Sequence, residues 1–196
     1  MTIETHPLSP FLPPAATVLF LGSFPPPQSR WSMHFFYPNW INDFWRIQGL
    51  LHYQDKHWFE VPGTKTFDQA RIEAFCTQRG YAFYDTAQTV RRLKDNASDN
   101  YLEILTPVDL SHLLTQLPRC QQIVTTGGKA SQELQHILEQ HTGTPLPLIE
   151  IGTCLKLTAY GREIEWWRMP STSRAYPLKL EKKAEFYKKV GVVERI

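Results

Sequence analysis

The 196-residue chain has only three cysteines, Cys76, Cys120 and Cys154, and none of them falls in a C-x-x-C pair. An odd, scattered set excludes a disulfide framework, a zinc knuckle and a four-cysteine iron–sulfur cluster, leaving three ordinary reduced thiols. Long apolar runs are also missing: nothing approaches the roughly 18 to 20 residues needed to cross a bilayer. The first residues, with Glu4, Pro7 and Pro10, lack the basic-then-apolar pattern of a signal peptide. A soluble, cytoplasmic protein with no membrane partner is therefore expected. A strong excess of either charge is missing as well, with 21 basic residues against 19 acidic. A formal net charge of +2 permits a nucleic-acid partner through a local patch and does not demand one. No Walker loop, G-x-G-x-x-G fingerprint, G-x-S-x-G elbow or H-E-x-x-H helix occurs, which removes the commonest phosphate-binding, dinucleotide, hydrolase and zinc chemistries. There are no internal repeats.

What is present is enough apolar residue for one core. At 42% hydrophobic content over this length, a single domain spanning residues 1–196 is expected, with the proline-rich start, 1–14, as an irregular arm. Ala16 to Leu21 is a continuous apolar run ending at Gly22, the pattern of a strand covered on both faces of a parallel sheet. Asn42, able to cap, and Asp43, suited to a first turn, open a helix in which Phe44, Ile47 and Leu51 share a face. Further strands are predicted at Tyr81 to Tyr84, ending at Asp85, and at Gln122 to Thr126, the latter followed by Gly127-Gly128 and a helix. Leu155 to Ala159 and Arg162 to Arg168 read as a hairpin or as two sheet strands. Lys179 to Val190 reads as a basic helix with Leu180, Ala184 and Tyr187 inward. This alternation predicts a three-layer α/β/α sandwich around a central, mainly parallel sheet of about four to five strands.

Three loops hold candidate chemistry. Gly22 to Pro27 and Pro170 to Arg174 each follow a strand, and ligands of open α/β sheets bind beyond the carboxyl ends of the strands. The first is stiffened by Pro25, Pro26 and Pro27, with a glycine for close backbone approach. In the second, Ser171, Thr172 and Ser173 beside Arg174 can bind a phosphate, or can cap a following helix. Between them, Trp31 to Trp40 carries a dense set of aromatic rings. These suit either a stacking wall for a nucleobase, worth about 1 to 3 kcal/mol per base, or packing onto the core.

The segments Gly22-Ser23-Phe24-Pro25, Phe35-Phe36-Tyr37-Pro38, Asn42-Asp43-Phe44-Trp45 and Pro170-Ser171-Thr172-Ser173, in that order, resemble the uracil-DNA glycosylase superfamily. The chain is most similar to the hypoxanthine-DNA (deoxyinosine) glycosylase branch, over roughly Val18 to Ala175. Tyr81 to Tyr101, with Asp85, Arg91, Arg92 and Asp99, resembles that branch's second strand and the segment after it. The resemblance implies a monomeric, monofunctional DNA glycosylase of base excision repair. Its partner is DNA holding a deaminated base, uracil or hypoxanthine, and its product is an abasic site. The implied mechanism calls for no metal or redox cofactor.

The resemblance also implies roles. Phe35 is the candidate ring stacking on a flipped base, with Phe36 and Tyr37 as neighbours. Phe24 stands where many members keep an Asp or Asn that orients the attacking water, and a phenyl ring cannot do that. In the hypoxanthine branch the asparagine of the middle motif takes the role, which maps to Asn42, whose amide can both donate to and accept from a water. Asp85 falls where the superfamily reads the base edge. A carboxylate accepts only, so it suits the ring N–H of uracil or hypoxanthine, and its alternatives are a strand-end turn or a salt bridge to Arg91 or Arg92. Ser23 is placed with Asn42 among the catalytic residues, contacting the base or a flanking phosphate, and Gly22 and Phe24 belong to the base pocket. Pro170, Ser171, Thr172, Ser173 and Arg174 grip the DNA backbone, and Lys156, Lys179, Lys182, Lys183, Lys188 and Lys189 supply either a basic rim or a solvated face. Two other classes stay open: a nucleic-acid-binding homologue without catalysis, suggested by Phe24 and by the longer Pro38–Asn42 spacing, and a small-molecule hydrolase using Ser23 or Ser171.

Overall fold

A computed structural model describes residues 2–93 and 101–190; Asp99 lies outside the described residues. The chain folds around a five-stranded sheet in the order β3-β2-β6-β8-β7. Its centre is β2 (Val18–Gly22), buried at every position. It runs parallel to β3 (Tyr81–Asp85) on one side and to β6 (Gln122–Thr126) on the other. Strand β8 (Arg162–Met169) extends the parallel set, and β7 (Thr153–Ala159) closes the edge antiparallel to it through the tight turn at Tyr160-Gly161. The unbroken Val18-Leu19-Phe20-Leu21 run therefore has the physical reason expected of it: both faces are covered.

Topology sets where a ligand can sit. From β2 the chain goes to β3 through α1 (Phe44–Tyr53) and α2 (Gln69–Arg79), then crosses to β6 and reaches β8 through α4 (Gly128–Thr142). Right-handed crossovers taken in opposite directions put α1 and α2 on one face and α4 on the other. Helix α5 (Leu180–Tyr187) packs against α1. Strand order reverses at β2, and the carboxyl ends of the parallel strands gather at one edge, with Gly22 paired to Asp85 and Thr126 to Met169.

A second sheet, antiparallel and ordered β1-β4-β5, was not legible in the sequence. It joins β4 (Ala87–Arg92) and β5 (Leu102–Pro107) to β1 (Thr2–Thr5), which lies in the arm expected to be irregular. Thr2-Ile3-Glu4-Thr5 has no buried residue, so no hydrophobic pattern announces the strand; its ladder to β4 makes it one. Phe24, Ala87, Val90 and Leu102 form a small separate core beneath this sheet. A short helix α3 (Leu110–Thr115) follows β5.

Helix α1 starts one residue later than Asn42 and Asp43 suggest, at Phe44. The Phe44 N–H donates to Asn42 Oδ1 at 2.9 Å, so Asn42 still satisfies one first-turn donor. The Asp43 carboxylate caps nothing. In α5, Ala184 and Tyr187 face inward as expected, but so does Lys183, whose side chain is fully buried. Lys183 therefore belongs to neither a basic rim nor a solvated face. Lys189 donates to Gly152 O at 2.9 Å and Lys156 pairs with Glu165.

Candidate active site

A cleft of about 560 Å³ opens at the carboxyl edge of the central sheet. Its walls include Gly22, Ser23 and Phe24 from the first loop, Phe36 and Tyr37 from the aromatic loop, Asn42, Asp85, and Ser171, Thr172 and Ser173 from the last loop. The two proline-and-hydroxyl loops thus face each other across one site. Asn42 and Ser173 form an antiparallel bridge, and Asp43 N–H donates to Thr172 O at 2.9 Å, so the walls are tied by backbone.

The first loop is pinned from below. Thr86 N–H and Oγ1–H both donate to Gly22 O, at 2.8 and 3.1 Å. Arg92 donates to Pro25 O and Trp31 Nε1–H to Pro26 O, which gives the proline carbonyls the donors their own nitrogens cannot return. Gly22 is obligatory for a local reason. A Cβ there would lie 2.5 Å from Asp85 Oδ1, well inside van der Waals contact.

The aromatic loop divides its rings between core and cleft. Phe35, the expected stacking ring, does not line the cleft: it packs edge-on against Phe11, Phe36 and Phe83 in the main core. Phe36 and Tyr37 take the wall positions instead. Tyr37 has a left-handed backbone, φ 52°, uncommon for a bulky residue. That turn lays its ring flat on Phe44, centroids 4.0 Å apart, and puts its hydroxyl 2.7 Å from Thr126 Oγ1 at the cleft floor. The register shift by one or two residues goes with the left-handed backbone at Tyr37, which composition does not reveal.

Asp85 is buried at the end of β3. Its partner is neither Arg91 nor Arg92, which pair with Glu103 and Glu4. It is His6, from the N-terminal arm, whose Nε2 lies 2.8 Å from Asp85 Oδ2. Sequence reasoning missed His6 altogether, since a lone histidine 79 positions away in a proline-rich stretch carries no pattern. Burial and the neighbouring Asp85 carboxylate both push the Tyr84 phenol up.

In the last loop, Ser171, Thr172 and Ser173 line the cleft, whereas Pro170 and Arg174 do not. Pro170 is buried and its carbonyl accepts from Tyr187 Oη at 2.8 Å. Arg174 is turned to the reverse of the loop, where its Nε donates to Asp43 Oδ1 at 3.0 Å. Lys183 Nζ donates to Asp43 Oδ2 and to Ser173 O, at 2.9 and 2.8 Å. A shallower hollow behind the loop gathers Arg46, Lys56, His57, Arg174 and Lys179. Arg30 and Ile41, which no motif marked, stand exposed on the cleft walls.

The arrangement can hold a planar ring against aromatic walls, accept a hydrogen bond through Asp85, and orient a water through the Asn42 amide. It offers little to nucleophilic catalysis. Burial raises the thiols of Cys76, Cys120 and Cys154, Cys120 to about 12, no histidine among the described residues lines the cleft, and His6, behind Asp85, is engaged by Asp85 and Leu8. Among the described residues no cluster of three or more His, Cys, Asp or Glu has metal-holding geometry. No helix among them is long and apolar enough to cross a membrane.

No family model and no curated protein matches the chain. Among solved structures, it is similar to a solution NMR structure of a candidate uracil DNA glycosylase from Methanosarcina acetivorans. The match has a TM-score of 0.64 and 18% sequence identity, and covers 97% of each chain. At that identity the likeness is one of fold: a mixed α/β domain with a central, mostly parallel five-stranded sheet flanked by helices, shared over nearly its whole length.

Proposed function

We propose that this chain is a monofunctional DNA glycosylase that hydrolyses the N-glycosidic bond of a deaminated base, uracil or hypoxanthine, and leaves an abasic site. One observation carries the reading: Asn42, Asp85, Phe36 and Tyr37, widely spaced in sequence, line a single cleft at the switch point of a glycosylase-like fold. In this reading the base leaves the duplex and enters the cleft, and stacking against Phe36 or Tyr37 offsets part of the few kcal/mol lost on unstacking. Asp85 Oδ1 accepts the ring N–H. The Asn42 amide, its Oδ1 steadied by Phe44 N–H, orients a water toward C1′. Asn42 is a weak base, so it positions the water and the departing base, whose negative charge is delocalised, supplies the driving force. Ser171 and Ser173 present hydroxyls to the backbone beside the flipped nucleotide. No cofactor enters.

The test is incubation with single-stranded and duplex oligonucleotides holding one uracil, hypoxanthine or xanthine, followed by alkaline cleavage at abasic sites. Strand scission at a deaminated base is expected, and Asn42→Ala should slow it by about a hundredfold or more, as loss of a positioning group does. Tight binding without scission of any base would make the chain a binding homologue. Scission untouched by Asn42→Ala would remove the water from Asn42.

A further inference from the structure

We infer that His6, delivered by the N-terminal arm, is a positioning residue that keeps Asp85 an acceptor and so makes the cleft selective for nucleobases with a ring N–H on the pairing edge. The inference rests on the base-reading role given to Asp85 above and names what enforces it.

The arm is built to bring this side chain in. Strand β1 runs along β4 in register from Thr2↔Arg92 to Thr5↔Thr89, and His6 N–H continues the ladder by donating to Gln88 O at 2.8 Å. Past His6 the chain is fixed again, where Phe11 and Phe83 exchange backbone hydrogen bonds. The imidazole between these anchors is 1% exposed and is caged by Phe24, Phe36 and Tyr84, with ring centroids 5.3, 6.2 and 4.5 Å away. Phe24 and Phe36 are also cleft walls. The residue that fails to orient a water in the first motif thus has a task here: it holds the histidine.

The tautomer follows from the partners. A carboxylate only accepts, so Nε2 must carry the proton it gives to Asp85. On the far side, Nδ1 lies 3.2 Å from Leu8 N and 2.9 Å from Leu8 O. A neutral ring accepts the Leu8 N–H there, and a protonated ring donates to the Leu8 carbonyl. Leu8 serves both, and in both the proton stays on Nε2 and is donated to Asp85 Oδ2. His6 takes Oδ2, and because Gly22 has no side chain Oδ1 stays uncovered at the cleft and is the oxygen left to accept from a ligand. Uracil N3–H and hypoxanthine N1–H satisfy it, whereas cytosine N3 and adenine N1 present a lone pair to a lone pair. Without the His6 donor nothing holds Oδ2, the carboxylate is free to rotate away from the position in which it meets a ring N–H, and the preference for bases that carry one is lost.

The experiment measures recognition apart from chemistry. Duplexes carrying 2′-fluoro-2′-deoxyuridine or 2′-fluoro-2′-deoxycytidine, where fluorine blocks departure of the base, are titrated into wild type, His6→Phe and His6→Gln, with thermal melting run on each. Glutamine can place an amide N–H where Nε2 stands, and phenylalanine fills the cage without a donor. Wild type should prefer uracil, His6→Phe should lose about tenfold or more of that preference, and His6→Gln should keep it. A preference unchanged in His6→Phe, lost in a folded His6→Gln, or absent from wild type overturns the inference. If His6→Phe does not fold, His6→Met, apolar and without a donor, takes its place and must lose the preference that His6→Gln keeps. Cleavage of an ordinary uracil duplex is assayed in parallel: preference without cleavage sinks the glycosylase reading and leaves the His6 assignment standing.

Discussion

Gly22 shows how tightly the cleft is built at the scale of one residue. Its φ is not in the left-handed region, so alanine suits the backbone. The obstacle is the 2.5 Å approach of the new Cβ to Asp85 Oδ1. Gly22→Ala should therefore displace the carboxylate and not unfold the strand. Stability should drop by about 1 to 2 kcal/mol, as for modest overpacking, while single-turnover cleavage of a uracil duplex falls by about tenfold or more. Melting and rapid-quench assays separate the two effects, and an activity loss no larger than the stability loss would show Asp85 to be uninvolved. At this scale the motifs singled out Gly22, Ser23 and Asn42, and the structure brings all three to the wall of one cleft. The sequence was misleading where several equivalent rings stood in a row. Phe35, Phe36 and Tyr37 are chemically alike, and only the left-handed turn at Tyr37 decides which of them face the cleft. His6 and Lys183 carry no sequence signal, because each acquires meaning from a partner far along the chain.

Between elements, the last loop is held by an ion cluster. Asp43, at the start of α1, receives Arg174 on one oxygen and Lys183 of α5 on the other, while Lys183 also caps Ser173 O. Helix α5 thereby fixes the Ser171–Ser173 wall against Asn42, and Tyr187 adds a second tie at Pro170 O. Arg174 is 46% exposed on its side chain and Lys183 is 0% exposed, so their contributions should differ sharply. Lys183→Met leaves Asp43 buried with one cation and should cost about 3 kcal/mol, the penalty for breaking a buried pair. Arg174→Ala should cost well under half as much, since solvent screens the exposed partner. Lys182→Ala, one residue away on the solvent side and paired with Glu185, should stay within about 0.5 kcal/mol of wild type. Urea denaturation of the three variants checks the order, and equal effects for Lys182 and Lys183 would contradict the burial.

For the molecule as a whole, alternating β and α segments made the parallel sheet legible, because each central strand reads as an apolar run and each crossover as an amphipathic helix. The small β1-β4-β5 sheet escaped because its strands alternate weakly and its edge strand is polar. Charge behaves similarly: the net value of +2 says little, yet the fold places basic side chains both on the cleft wall and in the hollow behind the last loop. Arg30 stands on the cleft wall, and Lys56, Arg174 and Lys179 line the hollow behind the last loop. Asp43 neutralises much of Arg174, which leaves Arg30, Lys56 and Lys179 as the cations best placed to meet phosphates. Neutralising about three phosphates of duplex DNA should make log K fall with log salt at a slope near −3, about 0.9 per phosphate. Arg30→Ala should weaken binding to uracil-containing and undamaged duplexes alike, and flatten the slope by about 1. Lys156→Ala, on edge strand β7 and paired with Glu165, should leave the slope unchanged. Fluorescence anisotropy across a salt series measures all three proteins. Equal slopes for wild type and Arg30→Ala would place the DNA on a different face, and with it the cleft assigned to the base.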